Sequence, residues 1–178
     1  MKTKFFTKLK DNLTSIRYKT FIENIYIFFL GALSSLSLPP YSLWYINFLT
    51  FSLLLIFIIK KEHKNSIFFL MYGFVFGFGY FISSLYWIPF SLLHDQNFKF
   101  LAPFAMILIP AFLSIFYAIA FFVFKLFLKS NKVFINILIF SLILSFFEFI
   151  RGSILSGFPW NLFVYSFSEN INFIQISS

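Results

Sequence analysis

A glutamate and an arginine three residues apart, Glu148 and Arg151, close a long apolar run just ahead of Gly157-Phe158-Pro159-Trp160. On a helix that spacing puts both side chains on one face, about a turn apart. A charge near the middle of a bilayer costs about 2.5–3.5 kcal/mol on insertion scales, so an intramembrane ion pair is a candidate for function. At the membrane edge the same pair would need no function, because Arg151 would simply snorkel to headgroups. Two glycines, a proline and a tryptophan then end the helix and begin something else. Other chemistry is scarce. The chain has no cysteine, which excludes disulfides, thiolate metal sites and a cysteine nucleophile within these 178 residues. With only His63 and His94, a histidine metal site is not expected either. The residues themselves offer no catalytic set, no metal site and no cofactor site.

The elements that must position this stretch are apolar and long. Hydrophobic residues make up 60% of the chain and charged ones 11%, with 33 phenylalanines. A soluble domain is roughly 45–50% apolar and about 25% charged, so an integral membrane protein is predicted. The length suits one compact domain. A net charge of +8 raises the question of nucleic acid, but the basic residues cluster in short segments between apolar runs. That is the pattern of topology signals, and no nucleic-acid partner is expected.

Residues 1–21 form a polar, basic lead with Lys2, Lys4, Lys8, Lys10, Arg17 and Lys19, suited to the surface of anionic lipid. Five spans are predicted, over 22–38, 43–59, 67–93, 101–128 and 133–150. The first two form a short hairpin around Pro39-Pro40, since proline lacks an amide hydrogen and disfavours helix in the residue before it. The third holds Gly73 and Gly77, a small-xxx-small pair that allows close helix contact, and Pro89, which should kink or end it. The fourth carries Pro103 in its first turn and Pro110 in its interior, where a kink is expected. Residues 151–178 hold the motif and a tail, Ile171 to Ser178, that is apolar enough to begin another helix but too short to cross on its own.

With the N-terminus in the cytoplasm, twelve Lys and Arg residues fall on the cytoplasmic side and only Lys99 and Arg151 on the other. The positive-inside rule therefore predicts that orientation. Trp44, Trp87 and Trp160 all fall at the outer end. They form either an interfacial aromatic belt or the lining of a lipid-facing cavity.

The run Glu148-x-x-Arg151-Gly152, followed by Leu155-x-Gly157-Phe158-Pro159-Trp160, resembles the signature of bacterial apolipoprotein N-acyltransferases. Leu38-Pro39-Pro40 followed by Leu43-Trp44, the glycine-rich third helix with Tyr86-Trp87-Ile88, and the order of spans fit as well. The resemblance implies transfer of an acyl chain from a phospholipid to the free α-amino group of the N-terminal diacylglyceryl-cysteine of lipoproteins. It implies nitrilase-like covalent catalysis by a cysteine, a glutamate base and an oxyanion-stabilising lysine. That catalytic domain has no counterpart here, so none of its residues carries over. The membrane-part motif does: Glu148, Arg151, Gly157, Phe158, Pro159, Trp160 and Trp87 are the candidate lipid-access residues. Arg151 at the interface would suit a phosphodiester, and Phe158 and Trp160 acyl chains.

The expectation is thus an all-α, polytopic helical bundle of the bacterial inner membrane. It would be the N-terminal membrane portion of such an acyltransferase, inactive alone, as a fragment, a truncated product or half of a split enzyme. Its partners would be a phospholipid acyl donor, a diacylglyceryl lipoprotein acceptor, membrane lipid and a separately encoded nitrilase-like domain. The rivals are a non-catalytic lipid-binding or scaffold protein derived from the family, and a small transporter subunit.

Overall fold

The computed structural model describes residues 2–93, with side chains from Arg17 onward, and residues 99–129, 132–154 and 161–168. Six α-helices follow in chain order: α1 Lys2–Ser34, α2 Tyr45–Lys60, α3 Ser66–Ser84, α4 Trp87–Leu93, α5 Ala102–Phe127 and α6 Val133–Ile154. Two short 3-10 segments lie between helices and a third, Phe163–Phe167, follows α6, and no strand occurs among the described residues. In hydrocarbon each backbone N–H and C=O must be satisfied within its own segment, and a helix does that. Four stretches are long and apolar enough to cross a membrane: Arg17–Ser37, Ser66–Ser84, Lys99–Phe127 and Val133–Ile154. The apolar α2, at 16 residues, is shorter.

Two boundaries differ from expectation. The basic lead and the first span are one helix, α1, because no proline or glycine precedes Gly31 and lysine and arginine are good helix formers. The third run, predicted as 67–93, is two helices parted at Leu85 and Tyr86. Proline clashes with the carbonyl four residues back, and for Pro89 that is Leu85. Pro89 instead takes the third position of α4, where no intrahelical N–H is needed. α5 continues through Pro110.

α3 is the axis of the bundle. A Cβ at Gly73 would lie 2.3 Å from the Tyr117 carbonyl oxygen, and one at Gly79 would lie 2.2 Å from that of Phe28. Only glycine lets α3 touch α5 on one side and α1 on the other. Tyr72, Phe76 and Tyr80, four residues apart, are fully buried along its length. Phe76 packs against Phe51, Tyr117 and Phe121, with ring centroids 5.7–6.0 Å away. Phe140 of α6 joins through Phe121 and Phe124, at 5.4 and 5.1 Å. The core is a stack of aromatic rings, which gain from tilted and edge contacts beyond the area they cover.

Candidate functional site: a buried carboxylate and guanidinium

α6 presents Glu148 and Arg151 to the bundle near the last turn of α3. Arg151 is fully buried, and its Nη2 donates to Glu148 Oε1 at 3.1 Å and Oε2 at 3.3 Å, while Nε donates to Oε1 at 3.3 Å. Its guanidinium carbon stands 5.0 Å from the centre of the Phe81 ring, a cation–π distance. The Tyr117 hydroxyl of α5 donates to Glu148 Oε1 at 2.7 Å. The Phe163 backbone N–H donates to Oε2 at 3.1 Å.

The same groups hold the segment that follows. The Asn161 carbonyl accepts from Tyr80 Oη at 2.9 Å and from Arg151 Nη2 at 3.2 Å. Asn161 has φ 58°, a left-handed conformation that asparagine tolerates better than most residues. That turn drops the Phe163 ring into the core, 4.8 Å from Phe51 and 4.6 Å from Tyr80. The Glu148 carboxylate thus joins α5, α6 and the 3-10 turn Phe163–Phe167, and α3 reaches the same turn through Tyr80. Both of its oxygens already accept hydrogen bonds, so Glu148 fixes geometry and is not set up as a general base. Removing one member of a buried pair leaves an uncompensated charge, which costs about 3–5 kcal/mol.

The spacing predicted that Glu148 and Arg151 share a helix face, as they do, and left open whether Arg151 pairs within the membrane or reaches headgroups. Arg151 is turned inward, onto Glu148 and Asn161. Trp87 begins α4 at the same end of the bundle and is 40% exposed. Gly157, Phe158, Pro159 and Trp160 lie outside the described residues. Tyr80, Tyr117 and Asn161 were missed. A signal existed, since a buried tyrosine hydroxyl in an apolar helix usually needs a hydrogen-bond partner.

At the opposite, lysine-rich end lies a second buried carboxylate. Glu23 of α1 accepts from Lys61 Nζ at 2.6 Å, Lys64 Nζ at 2.5 Å and Tyr72 Oη at 2.6 Å. Lys125 Nζ also donates to the Glu62 carbonyl, tying α5 to the same loop. Between the two ends, α2 and α6 flank an apolar groove of about 860 Å³. It runs from Ile59 and Val133 to Asn47 and Phe167, with Glu148 on its wall. No cluster of metal-ligating side chains occurs among the described residues.

The family model for the apolipoprotein N-acyltransferase N-terminal domain matches residues 30–178. The chain belongs to the apolipoprotein N-acyltransferase family. It is 37% identical over 149 residues to the apolipoprotein N-acyltransferase of Rhodopseudomonas palustris, covering 82% of this chain and 27% of that protein. It is 38% identical over 152 residues to that of Bradyrhizobium diazoefficiens, covering 83% and 28%. Over 160 residues it is 38% identical to that of Rickettsia prowazekii, covering 89% and 30%. The chain therefore spans less than a third of the length of these bacterial acyltransferases. Glu148, Arg151, Tyr80, Tyr117 and Asn161 lie inside the region matched to the acyltransferase domain, and Glu23 lies before it.

Proposed function

We propose that this chain is the membrane part of an enzyme that moves an acyl chain from a phospholipid to the N-terminal diacylglyceryl-cysteine of lipoproteins. In that enzyme these residues supply the scaffold and the lipid access. The observation that carries the reading is the anchor at Glu148, which ties α5 and α6 to the turn that follows the family signature. Bond making falls to residues outside these 178, which contain no cysteine to form a thioester. A nitrilase-like domain, on the same or a separate polypeptide, is the partner. With twelve of fourteen basic residues at one end, the N-terminus faces the cytoplasm in a multi-pass inner-membrane arrangement. The Arg151 end then meets the outer leaflet.

Within this reading Glu148 and Arg151 are positioning residues. They set the path of the chain through Gly157, Phe158, Pro159 and Trp160, and these residues with Trp87 form the mouth that admits lipid. The test uses the complete acyltransferase in its native membrane and follows N-acylation of a lipoprotein. Arg151→Ala and Trp160→Ala should each lower acylation at equal enzyme level. Unchanged acylation in both variants would rule the assignment out.

A further inference from the structure

We infer that the lysine-rich end of the bundle is a phosphate site, in which Lys61, Lys64 and Lys125 take the phosphate group of an anionic membrane lipid. The site lies at the end away from Arg151, so its lipid is not the acyl donor of the proposed function. Only the leaflet it belongs to, the cytoplasmic one, rests on that reading, through the orientation of the chain. The three lysines also stand apart from the basic lead, in the loop between α2 and α3 and in the last turn of α5.

The lysines are fixed by what lies beneath them. The buried Glu23 accepts from Lys61 on one oxygen and from Lys64 on the other, and Lys64 also donates to the buried Tyr72 hydroxyl at 2.8 Å. Lys125 reaches the Glu62 carbonyl in the same loop. An aromatic ring flanks each ammonium: Phe57 lies 5.4 Å from Lys61, Phe68 4.6 Å from Lys64 and Phe69 5.1 Å from Lys125. An ammonium has three N–H donors. Five of these nine have no partner among the described residues. Water would serve them too, so open donors alone decide nothing.

Charge and depth favour an anion with tails. Three ammoniums meet one buried carboxylate, and counting the Glu62 carboxylate of the same loop still leaves a positive excess. Glu23 holds the Lys61 and Lys64 ammoniums side by side, and like charges brought together attract an anion. Exposed apolar side chains stand next to them: Ile67 lies in the first turn of α3, and Leu126 and Phe127 directly follow Lys125. A phospholipid supplies both the anion and tails to cover these chains. Basic pockets between membrane-crossing helices take lipid headgroups at the cytoplasmic side in this way. Lysine serves a phosphate as a point charge. Soluble phosphate offers the same anion without the tails.

The test uses the protein as its native host makes it, purified in detergent, with bound lipid counted by native mass spectrometry. Phosphatidylglycerol should bind as one saturable copy, and diacylglycerol with the same tails should not. Lys61→Gln and Lys125→Gln should each weaken that binding about fivefold, the worth of one lysine near an anionic surface. Lys60→Gln removes the same charge from an exposed neighbour outside the cluster and should weaken it far less. Thermal unfolding without added lipid checks that the variants fold, and the preference of the unaltered chain for phosphatidylglycerol needs no substitution. Equal binding of the two lipids would overturn the inference. Equal losses in all three variants would overturn it too, since they would mean a diffuse basic surface. Glycerol 3-phosphate or inorganic phosphate that displaces the lipid at matched concentration would overturn the lipid assignment and make a soluble phosphate the ligand. Acylation is not read in this experiment, so failure of the acyl-transfer reading and failure of the phosphate site are told apart.

Discussion

Glu148 and Glu23 terminate the same aromatic column on α3 from opposite ends, and each takes a hydrogen bond from a buried tyrosine, yet they are built for different tasks. Glu148 is paired with an arginine that is fully buried and that also holds a backbone carbonyl. Glu23 is paired with two lysines whose side chains remain 16–18% exposed, and among the described residues it touches side chains only. A planar guanidinium can bond a carboxylate and a carbonyl together in fixed geometry, whereas an ammonium is a mobile point charge. The arginine centre thus organises the chain that follows it, and the lysine centre pins a loop to α1 near water. One is a joint in the path of the polypeptide and the other a fastening at its edge.

The largest expected break in this contrast comes from Arg151→Met. It strands Glu148 and should cost about 3–5 kcal/mol. Thermal unfolding in detergent and proteolysis at the 161–168 turn both report it, and a loss under 1 kcal/mol would mean that the pair is not what holds the turn. Tyr117→Phe removes a donor to the same carboxylate and should cost about 1–2 kcal/mol, the upper part of the range for hydrogen bonds between membrane helices. Tyr72→Phe should cost about 0.6 kcal/mol, because Glu23 keeps both lysines. Equal losses for the two tyrosines would erase the distinction drawn here. The smallest effect is expected from Lys61→Ala, within about 1 kcal/mol as for other partly exposed pairs. Raising the salt concentration should narrow the gap between Lys61→Ala and the unaltered chain while leaving the Arg151→Met loss in place. The two variants measured at low and high salt test that directly.

Much of the fold was written in the apolar runs. Their length fixed the helical class, and Gly73 predicted a close helix contact whose partner, through Tyr117, is α5. The break before Pro89 was harder to place, since proline acts on a carbonyl four residues earlier. For the site, spacing identified Glu148 and Arg151 as neighbours but gave no direction. Arg151 points into the core because Glu148, the Phe81 ring and the Asn161 carbonyl meet it there, and that carbonyl is offered by a left-handed turn. That acceptor is ten residues away and carries no side-chain signal. Glu23 escaped notice for a related reason. Its lysines, Lys61 and Lys64, sit in a loop whose charge reads as topology, and their partner lies about forty residues upstream.

In the proposed function Glu148 and Arg151 act on acyl transfer by position and not by touching substrate. A double-mutant cycle in the complete enzyme tests it most directly, with N-acylation of a lipoprotein measured for Arg151→Met, Glu148→Gln and the two together. Removing both charges should relieve the stranded carboxylate, so the double variant should acylate better than Arg151→Met alone. A double variant that folds with its 161–168 turn protected, yet is as inactive as the worse single variant, would contradict the claim and place one of the two groups on the substrate.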